Sequence, residues 1–139
     1  MRILGINCLN HDAAVSVIED GNIKFAGHSE RYSRIKNDRF LNDDIMSEAL
    51  SYGEPDVVAY FERPWLKKSR QLYAGQYNEA FQTANTPKNY LKRWLGDTKI
   101  QYVQHHESHA SAGYYTSPFD EACIVVIDAI GEWETVTIW

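Results

Sequence analysis

Apolar residues alternate with polar or small ones in the two segments that flank Asp20 and Gly21. RILGINC (2–8) is a short apolar run, and AAVSVIEDGNIKFAGHS (13–29) reads as strand, turn, strand. Asp20 and Gly21, followed by Asn22, form a hairpin signal between alternating segments, because these residue types tolerate positive φ. Three antiparallel strands therefore open the chain. The pattern breaks at SERYSRIKNDRF (29–40), whose cations line up with no apolar stripe. A helix follows over DDIMSEALSYG, capped by Asn42 or Asp43 and ending at Gly53. PDVVAYF (55–61) reads as a strand entered through Pro55.

Residues 64–96 are rich in Tyr, Gln, Asn and Lys and predict two helices, separated by Pro87 and ended by Gly96. Residues 99–103 form a short strand, VQHHESHASAGYY (103–115) a histidine-rich helix, and CIVVID (123–128) a buried strand. Gly131 and Glu132 turn the chain into a last strand at 135–139. The fold class this order predicts is α/β: a mixed sheet that opens with antiparallel strands and carries helices packed on it. The sequence stops inside a strand, so the expectation is part of a larger architecture.

At 139 residues the chain fits one domain, and its 44% hydrophobic content supports a core. Its net charge of −5 argues against a nucleic-acid surface. There is no basic segment followed by an apolar leader, and the longest apolar run, 122–127, is far short of the ~20 residues that span a bilayer. A soluble cytoplasmic protein with no membrane association is expected. Cys8 and Cys123 both lie in apolar runs and read as reduced core residues.

Four groups of residues offer chemistry. His105 and His109 are four apart, and on a helix that puts them on one face, where two imidazoles can share a metal. His106 and His109 could do the same, and a helix start with surface histidines needs no metal at all. The small residues Ser108, Ala110, Ser111, Ala112 and Gly113 allow this helix to approach a ligand or simply another backbone. Asp128, expected at the end of a buried strand, is costly there unless paired or bound to metal, though it also reads as a turn residue before Gly131. With two histidines it makes a sensible divalent-metal shell. His11 lies in the turn between the first two strands, flanked by Asn10 and Asp12. A loop histidine suits general-base work, and Asp12 either holds it or shapes the turn. The cations of 30–39 can bind phosphate or carboxylate if they line a cleft, but a charge run is more often a solvated face, and ERPWLKK (62–68) is read the same way. No Walker loop, GxGxxG, GxSxG or CxxC is present.

These motifs occur in an order that resembles the O-carbamoyltransferases, which include the nodulation-factor and antibiotic carbamoyltransferases. The matching residues are LGIN (4–7), HDAA (11–14) and IEDG (18–21), then SERYSRIK (29–36), HHESHA (105–110) and VID-x-x-GEW (126–133). The resemblance implies that residues 1–139 are the N-terminal part of the large domain. That domain has the actin-like ATPase fold, related to ribonuclease H; its C-terminal half and the adenylate-forming domain would be absent here. It implies a carbamoyl group passed from carbamoyl-adenylate, made from carbamoyl phosphate and ATP, to a hydroxyl of a small acceptor, with no transfer by this chain unless a complementary C-terminal chain supplies the missing part. By the same resemblance His105, His109 and Asp128 would bind a divalent metal, Fe²⁺ foremost with Zn²⁺ or Mn²⁺ as alternatives, and His106 would stand by. His11 would deprotonate the acceptor, Lys36 and Arg39 would meet the carbamoyl or phosphate group, and Asp128 and Gly131 would lie at the nucleotide. DAIG (128–131) departs from the usual DGxG, so Ala129 brings a side chain near that nucleotide. Two other readings share the metal motif: a transferase making threonylcarbamoyl-tRNA, which the acidic balance disfavours, and a non-catalytic metal- or nucleotide-binding module.

Overall fold

A computed structural model describes residues 1–82 and 86–139. The chain divides into two compact units, Met1–Tyr60 with Thr83–Gln101, and Phe61–Gln82 with Tyr102–Trp139. Together they give a mixed α/β protein, as the alternation predicts. No described helix is long and apolar enough to cross a membrane.

In the first unit, β1 (Arg2–Asn7), β2 (Ala14–Glu19) and β3 (Asn22–His28) form an antiparallel meander. β4 (Val57–Tyr60) then pairs parallel to β1, so the sheet is mixed, with the order β3-β2-β1-β4-β5 and β5 at Ile100–Tyr102. Burial follows the period of two. Leu4, Ile6, Val15 and Val17 lie inside while their neighbours are at least partly exposed, which is what a half-buried antiparallel sheet requires. The β2–β3 turn has φ of 49° at Asp20 and 81° at Gly21, two successive left-handed residues that match the twist of the flanking strands.

Helix α2 (Asp43–Ser51) buries Ile45, Met46 and Ala49. Its cap is Asn42, whose side-chain oxygen accepts from the Ile45 N–H at 3.1 Å. α5 (Pro87–Leu95) starts on proline and buries Leu91 and Leu95. The charged segment 29–40 is not wholly irregular, since its first five residues form α1 (Ser29–Ser33). The buried Ser29 hydroxyl donates to the Phe40 carbonyl at 2.5 Å, which folds the segment back on itself.

The second unit holds α3 (Pro64–Tyr73), α4 (Tyr77–Phe81), α6 (His105–Tyr115) and a two-stranded ribbon of β6 (Val125–Gly131) and β7 (Glu134–Ile138). Among the described residues of 64–96 there are therefore three helices where two were expected. Gly75, at φ 74°, ends the first helix before α4 starts.

Two expectations are corrected here. CIVVID is not a buried strand: among its apolar residues only Val126 is inside, and Ile127 is 76% exposed. In a two-stranded ribbon one face necessarily lacks a partner layer. Cys123 is likewise exposed, ahead of β6, whereas Cys8 is buried as expected; neither is in a disulfide.

Candidate metal centre

Helix α6 starts at His105, and its first five residues carry three imidazoles. His105 and His109 share a face, with ring centroids 4.9 Å apart and Nε2 atoms 3.1 Å apart. His106 points elsewhere and is fully buried, its Nδ1 2.9 Å from the Thr137 hydroxyl on β7. It ties helix to ribbon and, as expected, stands outside the metal donor set.

Asp128 reaches the two histidines from β6. It was expected at the end of that strand; it lies within it, at an irregularity. Ile127 pairs with Val136 and Gly131 with Glu134, so three β6 residues face a single β7 residue. A bulge of this kind re-aims side chains out of the ladder. The Asp128 Oδ2 stands 2.9 Å from His105 Nε2 and 3.9 Å from His109 Nε2, while its Oδ1 accepts from the Ala129 N–H at 2.6 Å. One ligand atom from each of the three residues lies within 4.8 Å of the others.

That donor set fits a divalent ion. Donors at ~2.0–2.2 Å from a metal stand roughly 3 Å apart from one another, close to the spacing seen. Two imidazoles and a carboxylate suit iron, zinc or manganese, and three ligands leave further positions open. His109 is half-exposed, and with Asp128, Gly113 and residues 124–127 it lines a cleft of about 310 Å³. Among the described residues no atom lies within 4 Å of a Cβ built at Gly113, so the small-residue face of α6 is open there.

Gly131 has a local reason to be glycine. A Cβ built there would stand 2.5 Å from the His105 ring and 2.7 Å from the His106 ring. The absent side chain lets α6 seat against the ribbon.

The surroundings of His105 were not legible in the sequence. Glu62, read as part of a solvated charge run, is only 5% exposed; Lys67 Nζ donates to its Oε1 at 2.8 Å, and its Oε2 lies 3.9 Å from His105 Nδ1. A buried carboxylate needs such compensation. Phe61 turns its ring edge-on to His105 at 5.5 Å, and the Phe61 carbonyl accepts from the Ser108 hydroxyl at 2.9 Å. Glu62 facing it raises the His105 pKa, against desolvation, and Asp128 adds to the rise. Burial pushes the carboxyls of Glu62 and Asp128 up, but the balance for both is downward. His105 and then Lys67 lower Glu62; the Ala129 N–H and then His105 lower Asp128.

A second buried carboxylate anchors the same unit. Glu132 occupies the β6–β7 turn at φ 56°, its side chain 0% exposed. It accepts from the Arg63 backbone N–H at 2.6 Å and from the guanidinium at 2.8 and 3.1 Å. Arg63 precedes α3 and has no side-chain cap of its own, so Glu132 satisfies an orphan donor at the start of that helix.

The remaining predicted residues lie in the first unit. His11 is exposed in the β1–β2 loop, its Nδ1 2.9 Å from Asp12 Oδ2. The loop is held firmly: Leu9 and Asp12 adopt positive φ, and the Leu9 and Ala13 N–H groups donate to the Arg39 and Asp38 carbonyls at 2.7 Å. Lys36 lines an open cleft of about 560 Å³ with Asp12, His28, Arg31 and Arg34. Arg39 is outside that lining; its guanidinium covers the Phe40 ring at 4.8 Å, and its backbone steadies the His11 loop.

Residues 65–139 match the family described as Carbamoyltransferase N-terminus. An uncharacterized protein of Synechocystis sp. is 32% identical over 165 residues, an alignment covering 99% of this chain and 27% of that protein. Nodulation protein NolNO of Sinorhizobium fredii is 26% identical, with 91% of this chain and 21% of NolNO aligned. An uncharacterized protein of Methanocaldococcus jannaschii is 29% identical, with 94% and 22% aligned. The chain thus spans about a quarter of the length of the relatives it matches.

Proposed function

The chain belongs to the carbamoyltransferase N-terminus family, and from that premise we propose that it contributes to carbamoyl transfer. The donor is carbamoyl-adenylate, made from carbamoyl phosphate and ATP, and the acceptor is a hydroxyl of a small molecule. On this reading residues 1–139 are the N-terminal part of a large domain with the actin-like fold. A complementary C-terminal part supplies the rest of the nucleotide cleft and the adenylate-forming step.

The observation that carries the proposal is the convergence of His105, His109 and Asp128, three residues from a helix start and a strand bulge that the sequence resemblance picks out independently. They hold a divalent metal, Fe²⁺ by the resemblance, with Zn²⁺ or Mn²⁺ also matching the donor set. When bound, that ion supplies positive charge to polarise the phosphate or carbonyl oxygen of the donor. His11 takes the proton from the attacking hydroxyl. Its Nδ1 is engaged by Asp12, which orients the ring and leaves Nε2 to act as the base. Lys36, beside Arg31 and Arg34 in an open cleft, offers positive charge to the phosphate or carbamoyl group. Arg39 is given the same task by the resemblance. Asp128 and Gly131 border the nucleotide, and Gly131 also admits the metal helix.

The test is an assay of the metal-loaded chain, together with the complementary C-terminal polypeptide, for ATP- and carbamoyl phosphate-dependent carbamoylation of hydroxylated acceptors. Transfer that falls at least ~100-fold in His11→Ala supports the assignment, a size typical of general-base removal. No transfer to any acceptor by the completed, metal-loaded protein overturns it.

A further inference from the structure

Glu62 stands behind His105 with no assigned task. It is the last residue before Arg63, whose backbone and guanidinium are fixed by the buried Glu132, and Lys67 holds one oxygen of its carboxylate from the first turns of α3 at 2.8 Å. The other oxygen is aimed at the His105 ring, 3.9 Å from Nδ1. That nitrogen is buried and has no hydrogen-bond partner among the described residues, while the opposite nitrogen of the same ring is 2.9 Å from Asp128 and 3.1 Å from His109 Nε2.

We propose that Glu62, braced by Lys67, is a positioning residue that holds the Nδ1–H of His105 and so presents Nε2 to a divalent metal. The inference rests on the metal-centre reading above. A neutral imidazole carries one N–H, and ligation by Nε2 requires the proton to be on Nδ1. A buried Nδ1–H beside an apolar ring such as Phe61 needs an acceptor, and the Glu62 carboxylate is on that side, short of hydrogen-bond distance by about 1 Å. Holding the Nδ1–H requires the Glu62 side chain to turn about its own torsions to close that gap. Histidine ligands are generally held this way, and loss of the outer partner costs roughly 10–100-fold in metal affinity. Lys67 anchors the carboxylate by one oxygen, which leaves the other for the imidazole. No other residue in the segment 61–68 is both buried and anionic.

The experiment is a titration of the chain with Zn²⁺ by calorimetry, paired with ¹H and ¹⁵N spectra of histidine-labelled, Zn²⁺-loaded protein. Glu62→Gln is expected to weaken Zn²⁺ binding by roughly 10–100-fold and to move the His105 Nδ1–H resonance upfield into faster exchange. Glu62→Asp, which keeps the charge, is expected to recover part of the affinity. A Glu62→Gln protein that binds Zn²⁺ within about twofold of wild type, with an unmoved Nδ1–H resonance, overturns the inference. If Glu62→Gln does not fold, the wild-type proton decides: slow exchange supports the inference, and fast exchange overturns it. His105→Ala separates the two levels. Full affinity in that variant overturns the metal centre and this inference with it. Lost affinity in His105→Ala but not in Glu62→Gln overturns the role of Glu62 alone.

Discussion

The two units bury opposite kinds of residue. In the first, Leu4, Ile6, Val15 and Val17 alternate into a core closed by Ile45, Met46, Leu91 and Leu95, and among its described residues the one buried polar side chain is Ser29. In the second, the buried residues include Glu62, His105, His106 and Glu132, while Val125, Ile127, Val136 and Ile138 are exposed. A sheet with covered apolar positions draws its stability from transfer out of water, which has no direction. A helix, a loop and a ribbon joined through paired charges depend on geometry, since each buried polar group is costly unless its partner is in place. The first arrangement makes a scaffold; the second holds functional groups at fixed distances.

That contrast is open to attack at several points. Leu4→Ala, in the core of the first unit, is expected to cost about 2–5 kcal/mol in urea unfolding. A loss below about 1 kcal/mol would show that the sheet is not the scaffold. Glu132→Ala removes the acceptor of the Arg63 backbone and guanidinium. It is expected to cost about 1–3 kcal/mol, less than a fully buried pair would, because Arg63 is 41% exposed. Retained stability in that variant would mean that buried charge does not organise the second unit.

A smaller effect comes from pH. The His105 pKa is raised in the folded protein, so its contribution is fully present below the ordinary imidazole value of ~6.5 and is lost as pH rises through the folded value. The carboxyls of Glu62 and Asp128 are lowered, so theirs is present above the ordinary carboxylate range and lost as pH falls through the folded values. Metal-free protein should therefore be less stable at pH 9 than at pH 6, and His105→Gln should flatten that decline. An equal decline in both would assign it to other groups. The smallest effect is expected at Ile127→Thr, within about 0.5 kcal/mol, because the side chain is already in water.

How much of this was legible in the sequence divides along the same line. The β2–β3 hairpin, the Asn42 cap and the alternation of β1 and β2 are local, and each is written in a few adjacent residues. The His105/His109 face is also local, since i and i+4 spacing on a helix brings two rings together whatever surrounds them. Asp128 was found, but its setting was not: a bulge depends on register with a partner strand, which residue types in one strand do not fix. Glu62 and Glu132 were missed for a similar reason. Each looks like a surface acid, and only pairing with Lys67 and His105, or with Arg63 sixty-nine positions away, makes burial tolerable. Cys123 and Ile127 went the other way, because an apolar run says nothing about whether a second layer covers it.

The central claim is that His105, His109 and Asp128 form one metal centre. Calorimetric titration with Zn²⁺ and Mn²⁺ of wild type, His105→Ala, His109→Ala and Asp128→Ala tests it most directly, with circular dichroism to confirm that each variant folds. The account predicts one ion per chain and an affinity at least ~100-fold weaker in each variant, since each removes one of three protein ligands. Folded variants that all bind as tightly as wild type would contradict it.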